Sequence, residues 1–286
     1  MLFERFSSRW LMILYFVNES RKNDTFFGNF YPHVRVRRNM CSVPAMYAPD
    51  VPLLAGVDGC RAGWVVVVAR GDAQDAQEHQ VQICARFDEV LCLQPAPAVI
   101  AVDMPIGLLA APQTGGRDCD RLARRLLGRR ASSVFTPPSR PLLEATYYEQ
   151  VRIHGLSVQA FNIMAKMREV DRVMTPALQH RVYEAHPELA FRTLAGYPMQ
   201  YRKKTVAGRE ERMRVLEQAP HPLFQGIRSA VAQALRGYPR TQVAPDDILD
   251  AYVLVGTARR IWQAQGQRVP CVPACDQKGL RMEIWY

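Results

Sequence analysis

Four aspartates stand where strands should end or a helix should begin. Asp58 closes the apolar run Leu53-Leu54-Ala55-Gly56-Val57, and Asp103 closes Val99-Ile100-Ala101-Val102. Asp247 and Asp250 lie in Pro245-Asp246-Asp247-Ile248-Leu249-Asp250-Ala251-Tyr252, an acidic start to an apolar helix. A carboxylate at the end of a buried strand is costly unless hydrogen bonds, a cation or a metal ion use its charge. Three elements that each deliver a carboxylate supply the hard oxygen ligands of a divalent-cation site. Plainer roles exist for each acid. Asp58 can make an Asx-type turn, and Asp246 and Asp247 suit the N-terminal dipole of a helix. Capping does not account for Asp250, one turn further in and on the same helix face as Asp247.

The elements that must position these acids follow from periodicity. Two apolar runs joined by a short glycine-bearing connection predict a hairpin, with strands over 53–58 and 63–70. The polar stretch 71–79 is a turn and a third strand covers 80–86. A short helix over 87–93 is stopped by Pro95 and Pro97. The fourth strand is 98–103. Helices follow over 117–127 and over 156–174; in the latter Ala160, Ile163, Met164, Met167, Val170 and Met174 form an apolar stripe. Its methionines read as core. Arg181 to Glu188 is a short strand running into Pro187, which favours the first turn of a helix. That leaves His186 and Glu188 at the strand's C-terminal end. A helix containing Met213, Val215 and Leu216 follows Lys203-Lys204-Thr205 and Arg209, and a last helix runs over 246–265.

The chain of 286 residues is 48% hydrophobic and carries a net charge of +10. Such a balance favours an anionic partner such as nucleic acid or a phosphorylated ligand. Between Arg117 and Arg140 seven arginines face two aspartates; the segment is either a solvated face or a set of phosphate contacts. Seven cysteines at irregular spacing, with no C-x-x-C pair, argue against a zinc ribbon and for reduced thiols in a cytoplasmic protein. The longest early apolar run, Trp10 to Val17, is too short to span a bilayer, and no small-residue cleavage site follows it. Residues 1–50 lack a sustained period and are expected to be a poorly ordered extension, with Met40 or Met46 as alternative starts. Residues 51–286 show no internal repeat and no linker, and are expected to form one domain.

The order of elements is strand with Asp, two antiparallel strands, helix, strand with Asp, helical insertion, strand, and helix with Asp-x-x-Asp. It resembles the ribonuclease H-like fold: an α/β mixed five-stranded sheet with flanking helices and, here, a helical insertion after strand four. The resemblance implies that strands one and four lie side by side with the last helix across them. Asp247-Ile248-Leu249-Asp250-Ala251 is similar to the motif of bacterial Holliday-junction resolvases of that superfamily. More specifically, the chain resembles the domain of unknown function 429 family, described as predicted ribonuclease H-like nucleases. Matching segments are 56–64, 103–108, Arg117-Asp118-Cys119-Asp120, Ser132-Ser133-Val134-Phe135, Glu184-Ala185-His186-Pro187-Glu188, Lys203-Lys204-Thr205, 246–251 and 279–284. Ala62 and Thr136 depart from the pattern without touching a carboxylate.

The resemblance implies a metal-dependent nuclease. Asp58 would bridge two Mg²⁺ or Mn²⁺ ions, with Asp103 on one and Asp247 or Asp250 on the other, for phosphodiester hydrolysis. Glu188 would be an outer ligand or orient a water. His186 would relay a proton or simply end its strand. Arg61, Lys204 and Arg209 would contact phosphate, and Arg124, Arg125, Arg129 and Arg130 would track a nucleic-acid backbone. The alternatives are a non-catalytic nucleic-acid- or nucleotide-binding protein on the same fold, and a phosphotransferase. The actin-like ATPases of the last class need two copies of the fold, and this chain shows one.

Overall fold

The computed structural model of the protein describes residues 51–286; the extension expected at 1–50 lies outside the described residues. The hairpin forms as its alternation requires. Strand β1 (Leu53–Cys60) pairs antiparallel with β2 (Gly63–Arg70), from Leu53 opposite Arg70 to Cys60 opposite Gly63. Gly63 has φ +135°, a left-handed backbone that glycine adopts without a Cβ clash. Strand β3 (Gln80–Cys84) pairs antiparallel with β2. Helix α1 (Phe87–Leu91) is followed by β4 (Val99–Val102), which runs parallel to β1.

Helix α2 (Asp118–Leu127) opens the insertion. The long helix expected over 156–174 is broken. Helix α3 (Tyr148–Arg152) precedes α4 (Val158–Asn162) and α5 (Met164–Val173), and α4 and α5 meet at Ile163, with φ −101° and ψ 0°. The apolar stripe holds its register across the break, so periodicity alone does not reveal it. Strand β5 (Val182–Glu184) pairs parallel with β4 and leads into α6 (Pro187–Ala195). Helices α7 (Val206–Gln218), α8 (Ile227–Gly237) and α9 (Pro245–Trp262) complete the helical set, and β6 (Arg268–Val269) pairs with β7 (Ile284–Trp285). The result is an α/β protein whose mixed five-stranded sheet has the order β3-β2-β1-β4-β5, as expected.

Alternate side chains of the central strands feed two cores. Leu54, Val65, Val67 and Ala101 pack with α6 to α9 on one face. Ala55, Val57, Trp64, Val66, Ile100 and Val102 pack with α1 and α3 to α5 on the other. Because both faces are covered, the valines of β2 are buried in an unbroken run, each contributing about 1.5–3 kcal/mol of apolar burial. Helix α9 lies directly on β1. A Cβ on Gly56 would stand 2.1 Å from the Ala251 carbonyl oxygen and 2.5 Å from the Val255 nitrogen. This absence of a side chain lets helix and strand backbones touch, and it brings Asp250 down to the level of Asp58.

Candidate active site

Sheet order determines which acids meet. Strands β1 and β4 are parallel neighbours, so their C-terminal ends lie together at one edge, where ligands bind in open α/β sheets. Asp58 sits near the end of β1; Asp103 is the first residue past β4, where its N–H donates to the Val57 carbonyl at 2.9 Å. Helix α9 starts beside them. Together Asp58, Asp103, Asp246, Asp247 and Asp250 line one pocket of about 1000 Å³. The pocket's other walls come from Ser132, Ser133 and Phe135 after α2, from Lys166 on α5, from His186 and Glu188, and from Arg202, Lys203 and Lys204 before α7.

Each acid is held differently. Asp58 is buried and its Oδ1 accepts from the adjacent Gly59 N–H at 2.7 Å, a bond to the next residue in place of the two-residue reach of an Asx-type turn. Burial pushes its carboxyl well up; Lys203 pulls it back, while Asp103, Asp250 and Asp247 push it further up. Burial also raises Asp103, against the pull of His186 and Lys203. Asp247 Oδ2 accepts from the Ala244 N–H at 3.0 Å, which is the helix-capping role. Burial raises its carboxyl, and that hydrogen bond opposes the rise. Asp250, 1% exposed, is pushed up by burial to about 6, against Lys203. Four carboxylates therefore share a space in which their charges repel, the condition that favours a bound cation.

A cation already stands there, and it belongs to the chain. Lys203 Nζ donates to Asp250 Oδ2 at 2.5 Å. Burial works against the lysine's charge, but Asp250, Asp58 and Asp103 outweigh it and hold its pKa well above the ordinary lysine value. The other Asp250 oxygen, Oδ1, is buried without a donor among the described residues. No three His, Cys, Asp or Glu side chains among the described residues are arranged to hold a metal ion. The donor chemistry suits a hard divalent cation, and the unpartnered oxygen marks where one more ligand bond is wanted.

The remaining predicted residues divide. Lys204 lines the pocket, whereas Arg209 does not; it donates to the Lys204 carbonyl at 2.8 Å and braces the loop. Glu188 lines the pocket but is engaged by Arg130 at 3.0 Å and by the fully buried Arg212. Burial raises Glu188, yet the two arginines overcome it and leave the carboxyl below its usual value. Both arginines contact Oε1, which cross-links α6, α7 and the segment after α2, while Oε2 is buried without a partner among the described residues. Arg124 does not face an open groove either: it donates to the carbonyls of Val134 at 2.9 Å and Gly115 at 2.6 Å and to the Thr136 hydroxyl at 2.8 Å. Arg125 is exposed on α2, Arg129 donates to the Pro198 carbonyl at 3.2 Å, and Arg61 is exposed in the β1–β2 turn away from the pocket lining. His186 lines the pocket; its Nε2 lies 3.4 Å from the Ser133 carbonyl, and its Nδ1 is buried without a partner among the described residues.

Lys203 is the residue whose place the sequence conceals. Its signal is a lysine pair just ahead of Thr205, which caps α7 by accepting from the Gly208 N–H at 3.0 Å. Nothing in the pair's spacing says which lysine turns to the acids. Beneath the site, Arg117 is fully buried and joins Asp120 at 2.7 Å, Glu184 at 2.6 Å and the carbonyls of Ile106 and Gly107. Burial works against its charge, and Asp120 and Glu184 more than offset it. The network ties the loop after Asp103 to the end of β5.

An α/β protein with strand-end and helix-start carboxylates around one pocket, on a sheet of order 3-2-1-4-5, agrees with a ribonuclease H-like arrangement. The chain belongs to the family described as "Protein of unknown function (DUF429)", whose model matches residues 56–275. No curated protein and no solved structure matches it. Among the described residues no helix is long and apolar enough to cross a membrane.

Proposed function

We propose that the protein is a metal-dependent hydrolase that cleaves phosphodiester bonds of nucleic acid. The observation that carries this reading is the convergence of Asp58, Asp103, Asp247 and Asp250, from β1, β4 and α9, on one basic-rimmed pocket. The chain's net charge of +10 supports an anionic partner. Asp58, Asp103, Asp247 and Asp250 would hold Mg²⁺ or Mn²⁺. Such an ion, when bound, activates a water and stabilises the leaving oxygen of an in-line displacement. The protein's own contributions are separable. Arg202 and Lys204, both exposed at the rim, receive phosphate oxygens. His186 stands where it can hold a proton beside Asp103. Six described cysteines are free thiols, which supports a cytoplasmic setting as part of the same proposal.

The test is a screen of structured and unstructured DNA and RNA with Mg²⁺ and Mn²⁺, with Asp58→Asn as control. The expected result is metal-dependent cleavage that the variant loses while its circular dichroism stays unchanged. Equal cleavage by the variant ends the nuclease reading. A second reading, a non-catalytic binder on the same fold, is favoured by the Lys203–Asp250 pair, which fills the cation position without any metal. Retained nucleic-acid binding with no Mn²⁺ uptake selects it.

A further inference from the structure

We propose that Lys203 is a tethered counter-ion: it holds the cation position of the acidic pocket and is displaced when a divalent cation binds there. The inference rests on the metal-dependent reading above and adds to it a built-in competitor. The ammonium and the ion would share a ligand, because Nζ is 2.5 Å from Asp250 Oδ2. The ammonium contacts one oxygen among the four aspartates, and Asp250 Oδ1 is still buried without a donor among the described residues. Removing Lys203 with nothing in its place would strand buried charge, so departure and arrival are coupled.

The two partners differ in freedom. Asp250 is fixed: it is 1% exposed and lies within α9. Lys203 has an exit, because its side chain is 34% exposed and it lies outside any helix or strand. Its loop is pinned on both sides. Glu211 accepts from the N–H groups of Gln200 and Tyr201 at 2.7 and 2.9 Å, and Thr205 caps α7. Between those pins only Arg202, Lys203 and Lys204 remain, all three lining the pocket. A displaced Lys203 therefore stays at the rim and adds a third positive charge beside Arg202 and Lys204. Entry of the divalent cation thus improves the rim for a phosphate-bearing substrate, which links the two binding steps.

The experiment measures Mn²⁺ affinity by calorimetry and by electron paramagnetic resonance of free Mn²⁺. Wild type is compared with Lys203→Met and Lys203→Gln. Loss of the competing ammonium is expected to tighten binding by about tenfold or more. In the wild type, acetylation of Lys203 by acetic anhydride, read by mass spectrometry, is expected to be slow without metal and to accelerate as Mn²⁺ saturates the site. Mn²⁺ binding that is equal or weaker in the variants, or labelling that Mn²⁺ leaves unchanged, overturns the role of Lys203 and leaves the metal-dependent reading standing. No Mn²⁺ uptake by wild type or by either variant overturns both. The labelling arm decides the matter in the unaltered chain should the variants not fold.

Discussion

Asp58 carries two consequences that separate its role in the fold from its role in the site. Its Oδ1 accepts the Gly59 N–H, a bond an asparagine oxygen keeps. Its charge is raised in energy by burial and by three neighbouring acids. Asp58→Asn should therefore raise the melting temperature measured without divalent metal; each 1 kcal/mol of relieved repulsion corresponds to about 2–4 °C in a protein of this size. A lower midpoint in calorimetry would show that the carboxylate is stabilising. His79 makes the opposite kind of statement. It is buried, lies 5.7 Å from the Tyr252 ring, and both ring nitrogens lack partners among the described residues. Burial lowers its pKa to about 4. The native state thus keeps the ring neutral while the unfolded chain protonates near pH 6.5, so stability is present above 6.5 and lost as pH falls toward 4. Linkage puts the loss at roughly 3 kcal/mol. Urea unfolding at pH 7 and pH 4 should show that loss in wild type and a smaller one in His79→Gln.

At the scale of elements, the contact between β1 and α9 is the joint on which the pocket depends. Gly56 is tolerated in a central strand because a methyl group there would meet the backbone of α9, at Ala251 and Val255. Backbone cannot turn aside as a side chain can. Gly56→Ala is expected to cost about 3 kcal/mol or more and to lift Asp250 away from Asp58, so that the denaturant midpoint falls and Mn²⁺ binding weakens. A variant with wild-type stability would mean that the helix is free to slide. Strand β1 and helix α9 were legible in the sequence because each is a long buried run with aspartate near one end. The break at Ile163 was not, since α4 and α5 share one apolar stripe. Helix α8 is signalled only weakly: its buried face is Ile227, Ala230, Val231 and Ala234, mostly small residues, and it starts from the left-handed Gly226. Arg124 shows a different limit. Sequence gives its charge, but three acceptors in the loops around α2 decide where the charge goes.

Across the whole molecule, the pocket is assembled from parts of the chain that have no local reason to meet. The aspartates were readable as candidates; the counter-ion, the engagement of Glu188 by two arginines and the buried Arg117 network were not, because each is a tertiary pairing. Arg117 binds the loop after β4 to β5 through Asp120 and Glu184. Arg117→Met leaves those two carboxylates buried without their cation, with the backbone N–H groups of residues 106 and 117 as donors, and the expected loss is about 3–5 kcal/mol with a pocket that loosens at Asp103. Unfolding in urea measures the first and Mn²⁺ affinity the second; a loss under about 1 kcal/mol would mean that solvent reaches the network.

The placement of α9 has a temporal side. On a translating ribosome, β1 and β4 emerge with Asp58 and Asp103 long before Asp247 and Asp250 are synthesised, and Lys203 emerges between the two pairs. The nascent polypeptide therefore meets its own ammonium first and completes its acidic quartet last. The pocket closes only after the tunnel has released α9, and a product of premature termination ahead of Pro245 lacks two of the four aspartates.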